Sequence, residues 1–407
     1  MDIVYLKRDE DRRVKRGHPW VYSNEIDVDR SPLKGATPGA LVRVADARGQ
    51  VIGVADLSPG SLVAARMLTR GADLDADFVA DRLARALAFR ARVFDTPHYR
   101  WVYGEGDGLP GLVIDRYGDA VVIQTSTWGM ERRLDAIVAA VDRLVAPRTL
   151  VVKNDATGRI PEGLPSYVEV RRGEAVAEVE EHGARFLVDL AGGQKTGWFF
   201  DQRDNRNRFA MLYRDARVLD LYSYVGAWSV LAARHGARRV LAVDASEAAV
   251  DALRANVTRN GVAAVVEATR GDVKDVLDRG SEPFDVVVLD PPALIRRRKD
   301  LKAGRALYRH LNARAIAATA PGGLLVSCSC SSALDAETHL ADLRAAARHV
   351  HRDIAIVGRG GLPADHPVHP WLPETDYLKC VFVRVSAGSL GSDPRGLTPF
   401  PAESEPA

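Results

Sequence analysis

Two cysteines, Cys328 and Cys330, lie one residue apart in the stretch PGGLLVSCSCSSALDAETH, where an apolar run gives way to small polar residues. The chain has only one other cysteine, Cys380. A zinc half-site is excluded, since no second pair exists and the gap is not the one that zinc ligands use. A disulfide across so short a stretch of strand is geometrically poor. One of the two is left as a candidate nucleophile. The same half of the chain holds a series of aspartates, each closing an apolar run: Asp220 in DLYSYVGAW, Asp244 in VLAVD, Asp272 in RGD and Asp290 in DPP. An acidic side chain in such a place can accept hydrogen bonds from ribose hydroxyls, and Gly226, in the turn after Asp220, lets backbone come close to a ligand. A single aspartate at a strand end is more often a helix cap than a ligand. Their succession is far more specific.

Those residues need elements to hold them. From residue 215 apolar strands alternate with helical segments: RVLDLYS, GAWSVLAARHG, RRVLAVDAS, SEAAVDALRANVTRNG, AVVEATRGD, VKDVLDRG, FDVVVLDPP, YRHLNARAIAATA and GGLLVSCS. This rhythm predicts a doubly wound, mostly parallel sheet over residues 190–386, with ligands bound beyond the carboxyl ends of its strands. The last two strands, HRDIAIVGRGG and DYLKCVFVRV, lack a helix-length connection and read as an antiparallel closing pair at the sheet edge, with Cys380 buried in the core. A helix is expected to begin just after Cys330, its positive end favouring a thiolate. Ahead of this domain, residues 1–70 read as short strands with turns at ARGQ and SPGS, and residues 72–185 as an α+β middle domain with a strand near residue 180. Residues 387–407, rich in Gly, Ser and Pro, read as a disordered tail.

The turn YSYVGAW carries one glycine and does not resemble the G-x-G-x-x-G cradle of a pyrophosphate. A cofactor with ribose and adenine but no phosphate fits better, which points to S-adenosylmethionine. With these motifs in place the chain resembles the class I methyltransferases, and in detail the RlmI-type large-subunit ribosomal RNA cytosine-C5 methyltransferases. RGHPWVYSNEI and the strands after it are similar to that family's PUA domain, and GEGDGLPGLVIDRYGD to its middle domain. GGQKTGWFFDQRDNR, LDLYSYVGAWSV, VDAS, LDPPAL and SCSCSS follow in the family's order.

The resemblance implies roles. Asp220, Tyr224 and Gly226 would line the methionine end of the cofactor, Asp244 would hold its ribose and Asp272 its adenine. Asp290 would face both cofactor and target base, and Cys330 would be the nucleophile that adds to C6 of cytosine, so that C5 can attack the methyl group. The chain departs from the family in having Ala293 where Lys is usual after DPP, Ala227 after Gly226, and Ser331 and Ser332 after the cysteine.

The net charge of +2 is close to neutral, so affinity for a polyanion must come from local clusters. One cluster is Arg12, Arg13, Lys15 and Arg16 beside Trp20, which reads either as a solvated lead-in or as an RNA surface. Another is Arg296, Arg297, Arg298 and Lys299, a basic loop on the rim of the proposed chemistry, suited to gripping phosphates around a flipped nucleotide. The expected partner is large-subunit ribosomal RNA, with a homodimer left open and neither a metal nor a membrane expected. An odd cysteine count and an N-terminus without an apolar leader point to the cytoplasm. Two rivals stay open: methylation of a guanine nitrogen, which needs no cysteine nucleophile, and a non-catalytic RNA-binding factor in ribosome assembly.

Overall fold

The structure, a computed structural model, describes residues 1–280 and 282–388; from residue 389 the expected disordered tail lies outside the described residues. The chain forms two compact units. The first comprises Met1–Val179, Val188–Phe200 and Pro363–Thr375, and the second Glu180–Leu187, Asp201–Leu362 and, of the described residues, 376–388.

In the first unit, β1 (Asp2–Tyr5), α1 (Asp11–Arg16), β2 (Trp20–Tyr22), β3 (Leu41–Ala45), β4 (Val51–Leu57) and β5 (Val63–Thr69) make a sheet of order β1-β3-β4-β5-β2. Val4, Val21, Val42, Val44 and Ala65 fill its core. A second sheet follows, built from α2 (Phe78–Val93), β6 (His98–Tyr103), β7 (Leu112–Tyr117), β8 (Ala120–Thr125), α3 (Trp128–Glu131), α4 (Leu134–Val145), β9 (Thr149–Asn154) and β10 (Tyr167–Arg172). Its order is β10-β9-β8-β7-β6, and the apolar faces of α2 and α4 join Trp101, Ile114 and Ile123 in one core.

Near residue 180 the structure has two strands where one was expected, β11 (Val176–Glu181) and β12 (Ala184–Asp189). His182 and Gly183 between them have φ of 49° and 75°. Two positive φ values in a two-residue loop match the twist of the flanking strands and so allow a tight hairpin.

The second unit is organised by a seven-stranded sheet of order β15-β14-β13-β16-β17-β19-β18. Its elements are α5 (Arg203–Asn207), β13 (Arg217–Leu221), α6 (Ala227–Arg234), β14 (Arg239–Asp244), α7 (Glu247–Arg259), β15 (Val266–Arg270), α8 (Val273–Arg279), β16 (Phe284–Leu289), α9 (Leu301–Ala318), β17 (Thr319–Ser329), α10 (Ala336–His349), β18 (Arg352–Gly360) and β19 (Lys379–Ala387). The first five strands in that order run parallel; β19 pairs antiparallel with both β17 and β18. Val286, Val287 and Val288 are all buried, as expected of a strand covered on both faces. After β13 the chain moves outward to β14 and β15, then returns to β16 on the other side of β13. This reversal is the switch point at which open sheets bind ligands.

One local expectation fails. The helix after Cys330 starts only at Ala336, capped by Asp335, whose carboxylate accepts from the Thr338 amide. Ser331 to Asp335 form a turn and loop instead, and of the residues able to cap a helix start it is Asp335 that does so. The positive end of α10 therefore does not begin at Cys330.

Candidate active site

Asp220 stands near the end of β13 with no exposed surface. Its Oδ2 accepts from the Ser229 hydroxyl at 2.5 Å, and its Oδ1 is buried without a hydrogen-bond partner. Burial, then the negative charges of Asp290 and Asp244, push its pKa up to about 7. The loop that follows is bent by three left-handed residues, Tyr222, Tyr224 and Gly226, with φ of 63°, 49° and 89°. Such conformations are costly away from glycine and persist where the surroundings hold them. At Gly226 a Cβ would sit 2.8 Å from Leu253 Cγ, so the close approach requires glycine.

Asp244 ties this loop to β14. Its Oδ2 accepts from the Tyr224 amide and its Oδ1 from the Ser246 amide, both at 2.9 Å. An ionised carboxylate can accept about four hydrogen bonds, so capacity for further donors remains. Asp272 is exposed and caps α8, accepting from the Lys274 amide at 2.7 Å.

Asp290 follows β16 immediately. Gln202 donates to its Oδ1 at 2.9 Å and the Trp228 indole to its Oδ2 at 3.3 Å. The Gln202 amide is oriented by Asn205, which donates to its carbonyl oxygen at 2.7 Å. Burial and then the neighbouring Asp201 charge raise the Asp290 pKa to about 6.

The next strand over supplies the cysteines. Cys330 lies just past the end of β17, partly exposed, with its sulfur 3.8 Å from the Pro291 carbonyl oxygen. Cys328 is only 1% exposed, and its sulfur lies 3.5 Å from that of Cys380, its register partner on β19. All three are thiols. Burial, reinforced by the Cys380 contact, pushes the Cys328 thiol well above its ordinary range. The chain on both sides of Cys330 is pinned by Tyr308 of α9, whose hydroxyl lies 3.0 Å from those of both Ser329 and Ser331.

The structure thus brings Asp220, Tyr224, Gly226, Asp244, Asp290 and Cys330 to the carboxyl ends of adjoining strands. Sequence reasoning passed over Gln202, Trp228 and Tyr308. Gln202 falls within GGQKTGWFFDQRDNR and Trp228 within LDLYSYVGAWSV, but nothing in their spacing shows that they converge on Asp290.

The basic clusters differ from each other. Arg12 pairs with Asp9, Arg13 with Glu25, and Lys15 with both Asp11 and Asp46. Arg16 is exposed, and Trp20 donates its indole N–H to Glu105 at 2.8 Å. In the rim loop Arg296, Arg298 and Lys299 are exposed, and Arg297 pairs with Asp300. The first cluster is therefore largely neutralised within its own unit, while the rim loop keeps most of its charge.

A mostly parallel sheet with an antiparallel final pair, acidic strand ends at its switch point and a one-glycine turn defines a class I methyltransferase. The donor of that class is S-adenosylmethionine, and the unpartnered Asp220 Oδ1 beside a turn that excludes a Cβ at Gly226 fits it. Residues 4–70 match the PUA-like domain family, and residues 177–299 match the TRM5/TYW2 methyltransferase domain family. The fold is shared with SMU.776, assigned as a methyltransferase and solved in complex with SAH, at a TM-score of 0.79 and 20% identity, over 94% of this chain and all of that one. Ribosomal RNA large subunit methyltransferase I of Cronobacter sakazakii is 34% identical over 390 residues, covering 92% of this chain and 97% of that protein. The protein of the same name from Alteromonas mediterranea is 35% identical over 397 residues, covering 94% and 98%. The chain belongs to the ribosomal RNA large subunit methyltransferase I family. Among the described residues no helix is long and apolar enough to cross a membrane.

The buried Asp220 makes stability depend on pH. Its folded pKa of about 7 lies above the ordinary carboxyl value, so folding takes up a proton between the two. Its contribution is therefore unpenalised below about pH 4 and becomes increasingly unfavourable as pH rises to about 7. Cofactor-free protein should lose more Tm between pH 5 and pH 8 as wild type than as Asp220→Asn, which keeps an acceptor for Ser229 but cannot ionise. Equal losses in thermal melts would show that Asp220 does not titrate in this range.

Proposed function

We propose that this enzyme methylates C5 of a cytosine in large-subunit ribosomal RNA through a transient bond between Cys330 and C6. The observation that carries this reading is a partly exposed thiol beside the segment that a carboxyl of raised pKa begins: the Cys330 sulfur lies 3.8 Å from the carbonyl oxygen of Pro291, the residue after Asp290. Carbon 5 of cytosine is a poor nucleophile, and a thiolate adding to C6 makes it enamine-like. Asp290, with its raised pKa, would donate toward N3 of the ring and stabilise the adduct. S-adenosylmethionine supplies the electrophilic methyl group; loss of the C5 proton to a base then lets the thiolate leave and restores the ring.

In this reading Asp220 and the Tyr224–Gly226 turn hold the methionine end, Asp244 the ribose and Asp272 the adenine edge. Arg296, Arg298 and Lys299 hold phosphates beside the flipped base. Asp244→Ala should weaken S-adenosylmethionine binding about tenfold or more, since a hydrogen bond to a charged group contributes about 1.5–3 kcal/mol. Calorimetry on the folded variant checks it, and an unchanged affinity removes Asp244 from the site. The reading as a whole is tested by nucleoside mass spectrometry of ribosomal RNA from cells with and without the gene. Loss of one 5-methylcytidine supports it; loss of a methylated guanine instead supports a nitrogen target.

A further inference from the structure

We propose that Lys379 is the cationic positioning partner of the Cys330 thiolate, a role that rests on reading Cys330 as the nucleophile. Lys379 opens β19 directly opposite Ser329, the residue before Cys330, and is only 8% exposed. Its ammonium donates to the carbonyl oxygens of Ser331 and Tyr377, both at 2.6 Å. The first of these carbonyls belongs to the residue after Cys330. Lys379 is thus clamped to the backbone of the residue after the cysteine on one side and to the β19 approach on the other.

Both acceptors are neutral, so the clamp fixes the ammonium without cancelling its charge. Burying an ammonium among neutral partners is costly, and such groups are kept where their charge has a use. Burial lowers the Lys379 pKa to about 8, and the strongest opposing influence is the Cys330 charge, ahead of Asp376 and Asp335. Other groups facing this region are His339 of α10, which burial drives down to about 4 so that it is neutral near pH 7, and the Tyr308 phenol of α9, which burial raises. Lys379 is therefore the buried cation that favours the Cys330 sulfur anion. It takes the role that the displaced start of α10 leaves open.

The test needs neither RNA nor cofactor. The folded full chain is alkylated with iodoacetamide from pH 5.5 to 9.5, and peptide mass spectrometry reads Cys330 separately from Cys328 and Cys380. Lys379→Gln keeps donors for the carbonyls but removes the charge. It should move the inflection for Cys330 to higher pH and slow labelling at pH 7 about tenfold, the change expected for one unit of thiol pKa. Lys379→Arg, which keeps the charge, should stay near wild type. A Lys379→Gln profile that superimposes on wild type overturns the proposal. If Lys379→Gln exposes Cys328 and Cys380 to label, the packing has opened and the charge-keeping variant decides: Lys379→Arg with its buried thiols protected but its Cys330 profile shifted upward also overturns it. A Lys379-dependent profile in a protein that forms no adduct with 5-fluorocytidine on an RNA that it methylates would leave the charge coupling of Lys379 to Cys330 standing and remove the covalent C5 reading instead.

Discussion

Replacing Cys330 by alanine is expected to abolish methyl transfer while leaving S-adenosylmethionine affinity close to wild type. In the proposed mechanism the thiol adds to the base and has no part in holding the cofactor, and its sulfur lies 3.8 Å from the Pro291 carbonyl oxygen. Cys328→Ser should cost stability, because Cys328 is packed against Cys380 in the β17–β19 core, yet leave transfer measurable. With RNA carrying 5-fluorocytidine at the target, wild type should form an adduct that survives a denaturing gel, since fluorine cannot leave C5 as a proton does. Cys328→Ala should also form it, and Cys330→Ala should not. A shifted band in Cys330→Ala but not in Cys328→Ala would reverse the assignment. Absence of any band in wild type, on an RNA that it methylates, would remove the covalent C5 mechanism.

Asp290→Ala should lower kcat by about 100-fold or more, within the 10²–10⁴ range of a positioned general acid. Two features support an effect on chemistry. Gln202 and Trp228 hold both carboxylate oxygens, and burial beside Asp201 keeps a proton on the group at a pH where most aspartates have lost theirs. The pH dependence supplies the sign. The protonated form is lost as pH rises through about 6, so wild-type single-turnover rates should carry an arm that falls on that side. Asp290→Ala should lack it. An unchanged pH profile with a reduced rate would mean that Asp290 shapes the pocket without moving a proton.

Much of the fold follows from local patterns. Apolar strands alternating with amphipathic segments force a covered parallel sheet, so β13 to β17 and the helices between them are legible in the sequence. Asp220, Asp244 and Asp290 are legible for the same reason, because strand ends in such a sheet converge on its switch point. Gly226 is readable as a residue the turn cannot replace. Position sets the two cysteines apart, one inside the apolar run and one past it, while the family resemblance gives Cys330 its role; burial of Cys328 follows the division by position.

Tertiary structure decided what converges from distant parts of the chain. Gln202 and Trp228 reach Asp290 from 88 and 62 residues away, a meeting that no spacing rule encodes. Lys379 looks in sequence like a stray charge at the start of an apolar strand; it acquires a meaning only because β19 inserts antiparallel beside β17 and sets it opposite Ser329. The start of α10 was misplaced because several small polar residues can cap a helix, and packing selects among caps that local chemistry leaves nearly equal. The neutralisation of the run around Arg12 is likewise tertiary, since its carboxylate partners Glu25 and Asp46 become neighbours only on folding. Sequence by itself determined the sheet and the acidic residues on its rim; contacts between residues far apart in the chain determined which protons those residues keep.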